Sequence, residues 1–225
     1  MLNKLDEILL SDSVVEDFYS NYQQPEFKNW IVSILPEIED CKNTKQDNPW
    51  HIYDCLNHIL HSVEEINKQT TDLDLDTRRM LSYTMLLHDI GKPECKIRRY
   101  SRFYGREVDS FFNHNIASVK ISRRVLEKFK FTQEQRNIIL KLVEEHDAFM
   151  HFTLDTSIDK NKQMLTVDSI NDLVDRLDIY GNGLQMLGYI VMVARSDSLA
   201  QNPKMTQQAL KLVDSVEQFL YSNQL

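Results

Sequence analysis

Leu86-Leu87-His88-Asp89-Ile90-Gly91-Lys92-Pro93 is the stretch on which the reading of this chain turns. An apolar helical run leads into it, and Gly91 and Pro93 stop that run. The pattern predicts a helix over roughly 76–90 whose last turn presents His88 and Asp89 at the edge of a core. An adjacent histidine and aspartate offer a divalent cation one nitrogen and one carboxylate oxygen from a single turn of backbone. The remaining donors have to come from elsewhere in the chain. His58, His114, His146 and Asp197 qualify, each at or near the end of a helical pattern.

On either side the periodicity is helical almost throughout the 225 residues, with five glycines and five prolines to interrupt it. Ser13-Val14-Val15-Glu16 reads as a capping box and Pro25 as a first-turn proline, so residues 1–47 are expected to form an accessory helical extension. From Pro49 the spacing predicts a helix with Ile52, Leu56, Ile59, Val63 and Ile66 as its apolar stripe and His51, Asp54, His58 and His61 on another face. Thr132-Gln133-Glu134-Gln135 is a second capping box, and its helix buries Ile139, Leu142 and Val143 before reaching Glu144-Glu145-His146-Asp147. Residues 148–166 show no clear period and are expected to form a mobile loop over the site. A short helix through Ile170, Leu173, Val174 and Leu177 ends near Gly181, and Leu184–Leu199 is apolar on nearly every face, as a central buried helix would be. Asp197 stands out in that helix, because an unpaired buried carboxylate is strongly penalised and calls for a cation. A last helix over about 204–222 repeats Leu210, Val213, Val216 and Leu220 and is expected on the outside. No linker or repeat separates these parts. The economical reading is one all-α domain over 1–225, a helical bundle with its core at 48–203 and a C-terminal segment at 204–225.

A net charge of −8 argues against a protein that coats nucleic acid, since that affinity comes from neutralising phosphates. One segment runs against the balance: Lys92, Lys96, Arg98, Arg99, Arg102 and Arg106 face only Glu94. Alone it would read as a solvated basic loop; beside a metal site it reads as a loop that receives phosphate. Cys41, Cys55 and Cys95 are odd in number and far apart, which suggests neither disulfides nor a thiolate zinc site. The N-terminus reaches acidic residues before any signal-like core, and no apolar run approaches the roughly 20 residues that span a bilayer. A cytoplasmic protein is expected, with no membrane partner; the oligomeric state stays open.

The serial order His58, His88-Asp89, His114, His146, Asp197 resembles the HD-domain superfamily of metal-dependent phosphohydrolases. Over roughly 48–203 it most resembles the HD region of bacterial tRNA nucleotidyltransferases. The matching pieces are Asn48-Pro-Trp-His-Ile-Tyr-Asp, His58-Ile-Leu, His88-Asp-Ile-Gly-Lys-Pro, Phe112-Asn-His114-Asn-Ile-Ala-Ser118, Leu142-Val-Glu-Glu-His146-Asp and Ala194-Arg-Ser-Asp197-Ser-Leu-Ala-Gln. The first 47 residues hold no Gly-Ser or Gly-Gly turn followed by paired aspartates, so nucleotide addition is not expected. Branches that follow His-Asp with Gly-His, or with Thr or Glu pairs, match less well.

The resemblance implies that His58, His88, Asp89 and Asp197 hold a first ion and that Asp89 bridges to a second held by His114 and His146. With one ion, His114 and His146 would contact phosphate instead. Imidazole and carboxylate donors without thiolate suit Mn²⁺, Fe²⁺, Co²⁺, Ni²⁺ or Mg²⁺. Asp89, Lys92 and His114 are the expected catalytic residues, and Lys92, Arg98, Arg99, Arg102 and His51 the expected substrate contacts. Lys92 alternatively pairs with Glu94 or a helix end, and His51 is alternatively an exposed residue. The expected activity is hydrolysis of a phosphomonoester or phosphodiester of a nucleotide by a metal-activated water. Two rivals stand beside it: a 2′,3′-cyclic phosphodiesterase or phosphatase acting on RNA ends, and a non-catalytic nucleotide- or RNA-binding module.

Overall fold

Aspartates start the two helices that frame the site. Asp54 accepts from the Asn57 amide at 2.8 Å ahead of Cys55–Gln69, and Asp74 accepts from the Thr77 amide at 3.0 Å ahead of Leu75–Leu87. The computed structural model describes residues 1–156 and 162–223. In chain order its helices are α1 (Leu2–Leu9), α2 (Val14–Tyr22), α3 (Pro25–Ile34), α4 (Glu37–Asn43), α5 (Cys55–Gln69), α6 (Leu75–Leu87), α7 (Lys92–Cys95), α8 (His114–Leu126), α9 (Gln133–Glu145), α10 (Val167–Leu177), α11 (Gly183–Leu199) and α12 (Pro203–Asn223). Among the described residues the sheet content is two small pairs: an antiparallel hairpin of β1 (Ile97–Ser101) and β2 (Arg106–Ser110), and β3 (Phe152–Thr153) beside β4 (Gln163–Met164). The fold is all-α, as the periodicity predicts.

Helices α5, α6 and α11 pack on one another at the centre, with α9 against α6 and both α10 and α12 against α11. Leu56, Ile59, Val63 and Ile66 of α5 are fully buried, each side chain contributing roughly 1.5–3 kcal/mol on leaving water. Helix α6 is buried continuously from Met80 to Leu87. Its C-terminal end, and with it the His88-Asp89 turn, is therefore fixed by core packing. The capping box of Thr132 and Gln135 forms as read, and a second one joins Thr166 to Ser169 at the start of α10.

Several local expectations are corrected. The helix expected from Pro49 begins at Cys55, because Asp54 takes the capping position, and Ile52 is exposed instead of lying in the stripe. The preceding segment is tied across the molecule, where Trp50 and Pro49 carbonyls accept from the Asn202 backbone and side chain, both at 2.8 Å. Ser13 makes no capping bond; the amide of Val15 donates to Glu64 of α5 at 2.9 Å. Within residues 1–47, Leu5, Leu9, Phe18, Ile31 and Ile38 are buried in the same apolar cluster as α5, α6 and α11. The basic stretch is a hairpin whose turn uses Gly105 at a φ of 62°. Within the loop expected over 148–166, Ala148–His151 form a 3₁₀ turn; residues 157–161 lie outside the described residues, as do 224–225 of the terminal segment. In α12 the buried stripe is Leu212, Val213, Val216 and Leu220, with Leu210 only half-buried. No described helix is long and apolar enough to cross a membrane.

Candidate metal centre

Five elements deliver the predicted donors to one place. His58 stands on α5, His88 and Asp89 form the turn after α6, His114 opens α8, His146 closes α9, and Asp197 lies near the end of α11. The turn approaches α8 so closely that a side chain is not tolerated at Gly91. A Cβ built there would lie 2.5 Å from the Ser118 amide nitrogen and 2.6 Å from the Ala117 methyl, and the Gly91 amide donates to Ser118 Oγ at 2.9 Å. Asn113, in the left-handed region at φ 61°, turns the chain so that His114 enters at the start of the helix.

The donors fall into two pockets that share Asp89. In the first, His58 Nε2 and His88 Nε2 are 3.4 Å apart; His58 lies 3.1 Å from Asp89 Oδ2 and 2.9 Å from Asp197 Oδ1, and His88 lies 3.3 and 3.5 Å from the same two oxygens. In the second, His114 Nε2 and His146 Nε2 are 3.0 Å apart and lie 3.1 and 3.6 Å from Asp89 Oδ1. Both groups have the composition and closeness of a cation site.

The outer nitrogens decide what these contacts mean. His58 Nδ1 reaches the Ala200 carbonyl at 3.2 Å, His88 that of Met85 at 2.7 Å, His114 that of Phe111 at 2.7 Å and His146 that of Val143 at 2.8 Å. A carbonyl oxygen only accepts, so each Nδ1 carries its proton, and in the neutral ring every Nε2 turns a lone pair toward carboxylate oxygens. Asp89 Oδ1 and Asp197 Oδ1 are buried without a hydrogen bond. Lone pairs facing lone pairs in a buried space are stabilised by a cation between them, and the donor set fits a divalent one.

Protons can partly take that place. Burial alone would lower His58, but the facing Asp197 and Asp89 carboxylates outweigh it and raise it to about 9. His88 is likewise raised to about 9, with burial opposed chiefly by Asp89. His146 is raised as well, burial being outweighed by Asp147 and Asp89. Asp89 and Asp197 are held well below the usual carboxylate range: burial would raise them, but His88 and Lys92 act on Asp89, and His58 and His88 on Asp197, in the opposite direction.

Lys92 is buried, and its ammonium lies 2.5 Å from Asp89 Oδ2, 3.0 Å from Gln46 Oε1 and 3.1 Å from His51 Nε2. Its three donors are thus all engaged inside the protein. Neither Glu94 nor a helix end is its partner; it neutralises and holds Asp89. Burial, followed by the charge of Lys92, pushes His51 well below its ordinary value, so the ring is neutral. Its Nε2 accepts from Lys92 and its Nδ1 donates to Asn48 Oδ1 at 2.8 Å.

The arginines separate into two kinds. Arg98 pairs with Asp47 at 2.9 Å, Glu107 at 3.2 Å and Asp109 at 3.3 Å, and Arg106 pairs with Asp47 at 2.8 Å, so their charge is largely balanced by acids of the hairpin and by Asp47 outside it. Arg99 instead donates to Ser110 Oγ at 2.8 Å and lies over the exposed ring of Phe112, 4.6 Å from its centroid and two residues before His114. Arg102 is exposed at the hairpin turn. His61 pairs with Glu64 and stacks on Tyr53, and His151 is exposed.

Residues not singled out beforehand complete the surroundings: Gln46 on Lys92, Gln201 donating to Asp197 Oδ2 at 3.0 Å, and Asp147 against His114 and His146. Asp147 had a signal in the sequence, since it follows His146 as Asp89 follows His88.

Comparison with protein-family models matches the HD domain to residues 56–180, more than half of the chain. The chain belongs to the HD domain family, whose members are generally phosphohydrolases. The matched segment contains His58, His88, Asp89, His114 and His146; Asp197 lies beyond it and is brought to His58 by the packing of α11 on α5.

Proposed function

We propose that this protein is a metal-dependent phosphohydrolase that cleaves a phosphomonoester or phosphodiester of a nucleotide. The observation that carries the proposal is the set of four imidazoles with Nδ1 tied to backbone carbonyls and Nε2 turned on two buried carboxylates. His58, His88, Asp89 and Asp197 are the proposed holders of one divalent ion, with Asp89, His114 and His146 available to a second; Mn²⁺, Fe²⁺, Co²⁺, Ni²⁺ and Mg²⁺ all suit such donors. A divalent ion held there supplies positive charge to the phosphoryl oxygens and acidifies an attacking water.

The side chains have distinct tasks in this reading. Asp89 offers its two oxygens to the two pockets, and Lys92 fixes the orientation of that carboxylate and lowers its negative charge. The neutral His51 holds Lys92 in turn. His114, less buried than the other three imidazoles, reaches the side from which substrate enters and, if one ion suffices and Nε2 takes up a proton, donates from Nε2 to a phosphoryl oxygen. Arg99 and Phe112 present a planar cation on an aromatic ring near that side, suited to a phosphate and a base; Arg102 adds an exposed charge, and Arg98 contributes least because acidic partners already hold it. The serial resemblance to the HD region of tRNA nucleotidyltransferases supports a second reading, hydrolysis of a 2′,3′-cyclic or terminal phosphate on RNA. A purely binding module is disfavoured by the complete donor set. The three free cysteines fit a reducing cytoplasm, and one domain over the whole chain fits the shared apolar cluster.

The test is turnover by metal-stripped protein given Mn²⁺, Co²⁺, Ni²⁺ or Mg²⁺ separately, with nucleotide mono-, di- and cyclic phosphates as substrates. Release of phosphate or ring opening with at least one ion is expected. A faster reaction on RNA bearing the same terminal phosphate would favour the second reading, and no turnover with any pair would refute the enzyme.

A further inference from the structure

The His-Asp pair occurs twice. His88-Asp89 follows α6 and His146-Asp147 follows α9, and these two helices pack against each other. Both histidines cap their helices in helical conformation, and both bind the carbonyl three residues earlier, at 2.7 Å for His88 and 2.8 Å for His146. The aspartate that follows is in each case delivered to the Nε2 side. Asp147 Oδ2 lies 3.3 Å from His114 Nε2 and 3.6 Å from His146 Nε2.

Among the described residues the donors here that all lie within 4.8 Å of one another are Asp89, His114 and His146, with Asp147 approaching the two imidazoles from beside that set, whereas the first pocket brings four donors together. There Asp197 Oδ1 lies 2.9 Å from His58 and 3.5 Å from His88, across from Asp89 Oδ2. Donors about 2.1 Å from a common ion sit about 3.0 Å apart at right angles and about 3.4 Å apart at the tetrahedral angle. The imidazole-to-imidazole and imidazole-to-carboxylate distances of both pockets run from 2.9 to 3.6 Å, around these values. We infer that Asp147 is the fourth protein ligand of a second divalent ion, doing for His114 and His146 what Asp197 does for His58 and His88. Each ion then receives two imidazoles and two carboxylates, with Asp89 shared, one oxygen to each side. Three carboxylates stand against the four charges of two divalent ions, and the surplus positive charge suits a hydroxide or a phosphate ester. Asp147 is also the most exposed of the three acids, at 27% against 14% for Asp197 and 2% for Asp89, so the second pocket is the one that meets solvent.

This rests on the metal centre proposed above but not on hydrolysis, and its test reads metal alone. Metal-stripped wild type, Asp147→Asn and Asp147→Glu are titrated with Mn²⁺ while free Mn²⁺ is followed by its magnetic resonance signal; spin coupling between neighbouring ions reports the pair. Wild type should bind two ions and show the coupled signal. Asp147→Asn, close in shape and partly exposed, should keep the first ion at wild-type affinity, lose at least about tenfold in affinity for the second and lose the coupling, while Asp147→Glu should retain more of both. Equal second-ion affinity in wild type and Asp147→Asn would overturn the assignment, as would a wild type that binds one ion. Two coupled ions in a protein without phosphohydrolase activity would uphold the assignment and refute the proposed function.

Discussion

Protons and metal compete for the same nitrogens, and this fixes how metal affinity depends on pH. In the metal-free protein His58 and His88 are raised from 6.5 to about 9, so at neutral pH Nε2 protons occupy the first pocket. An ion entering it expels one or two of them. Apparent affinity should therefore climb with pH from 6.5 and level off near 9. Over those roughly 2.5 units one expelled proton corresponds to about 300-fold, or about 3 kcal/mol, and two independent protons would set an upper bound near 10⁵-fold. Stability of the metal-free protein moves the other way. A folded value above the unfolded one gives stabilisation that is complete below about 6.5 and is lost as pH rises through about 9. Melting temperature without metal should fall across this window while the increment on adding Mn²⁺ grows. Calorimetric titrations at pH 7.5 in buffers of differing ionisation enthalpy should count one to two protons released per first ion. Affinity that stays flat or falls between pH 6.5 and 9, with no proton release, would show that no proton shares the first pocket with the ion.

Asp197→Asn keeps the volume and removes the charge facing His58 and His88, so it should weaken the first ion by more than the roughly 10–100-fold typical of residues outside a ligand set, while metal-free melting changes little; unchanged affinity with a large melting loss would make Asp197 structural. Gly91→Ala drives a methyl into the Ser118 backbone and should displace the start of α8, costing about 1–3 kcal/mol of stability and loosening the ion at His114; wild-type melting and metal titration would contradict the close approach. Arg99→Ala should raise KM with kcat nearly unchanged and flatten the salt dependence of kcat/KM, and Arg98→Ala should do so less because Asp47, Glu107 and Asp109 already hold its charge. Equal KM for Arg99→Ala and wild type at every salt concentration would remove the hairpin from substrate binding.

The helical class and the convergence of His58, His88, Asp89, His114, His146 and Asp197 were legible because local rules carry them. Stop signals at Gly91 and Pro93 end a helix at the His-Asp pair, and a carboxylate in the apolar α11 demands a partner. What escaped the reading depends on contacts distant in sequence. The hairpin of residues 97–110 shows little strand character in its own residues, and Asp47, some fifty residues earlier, ties Arg98 and Arg106 together. The amphipathic patterns of α1–α4 predict that they bury a face but not which surface they meet. Phe18 and Ile31 bury theirs in the central cluster. Lys92 reads as a phosphate contact because it follows the ligands closely; that the short helix α7 sets its ammonium against Asp89 is a contact its own position does not announce. Asp147 was visible as part of a second His-Asp pair, but only the packing of α9 on α6 gives that repetition meaning.

Asp89 is the residue on which both pockets depend, since its two oxygens face different histidine pairs. The most direct measurement is the metal content of Asp89→Ala beside wild type, both loaded with Mn²⁺, freed of excess and assayed for phosphate-ester hydrolysis. Wild type should carry metal and hydrolyse the ester, and the folded variant should do neither; a variant that holds the wild-type complement of metal would remove Asp89 from the centre of the site.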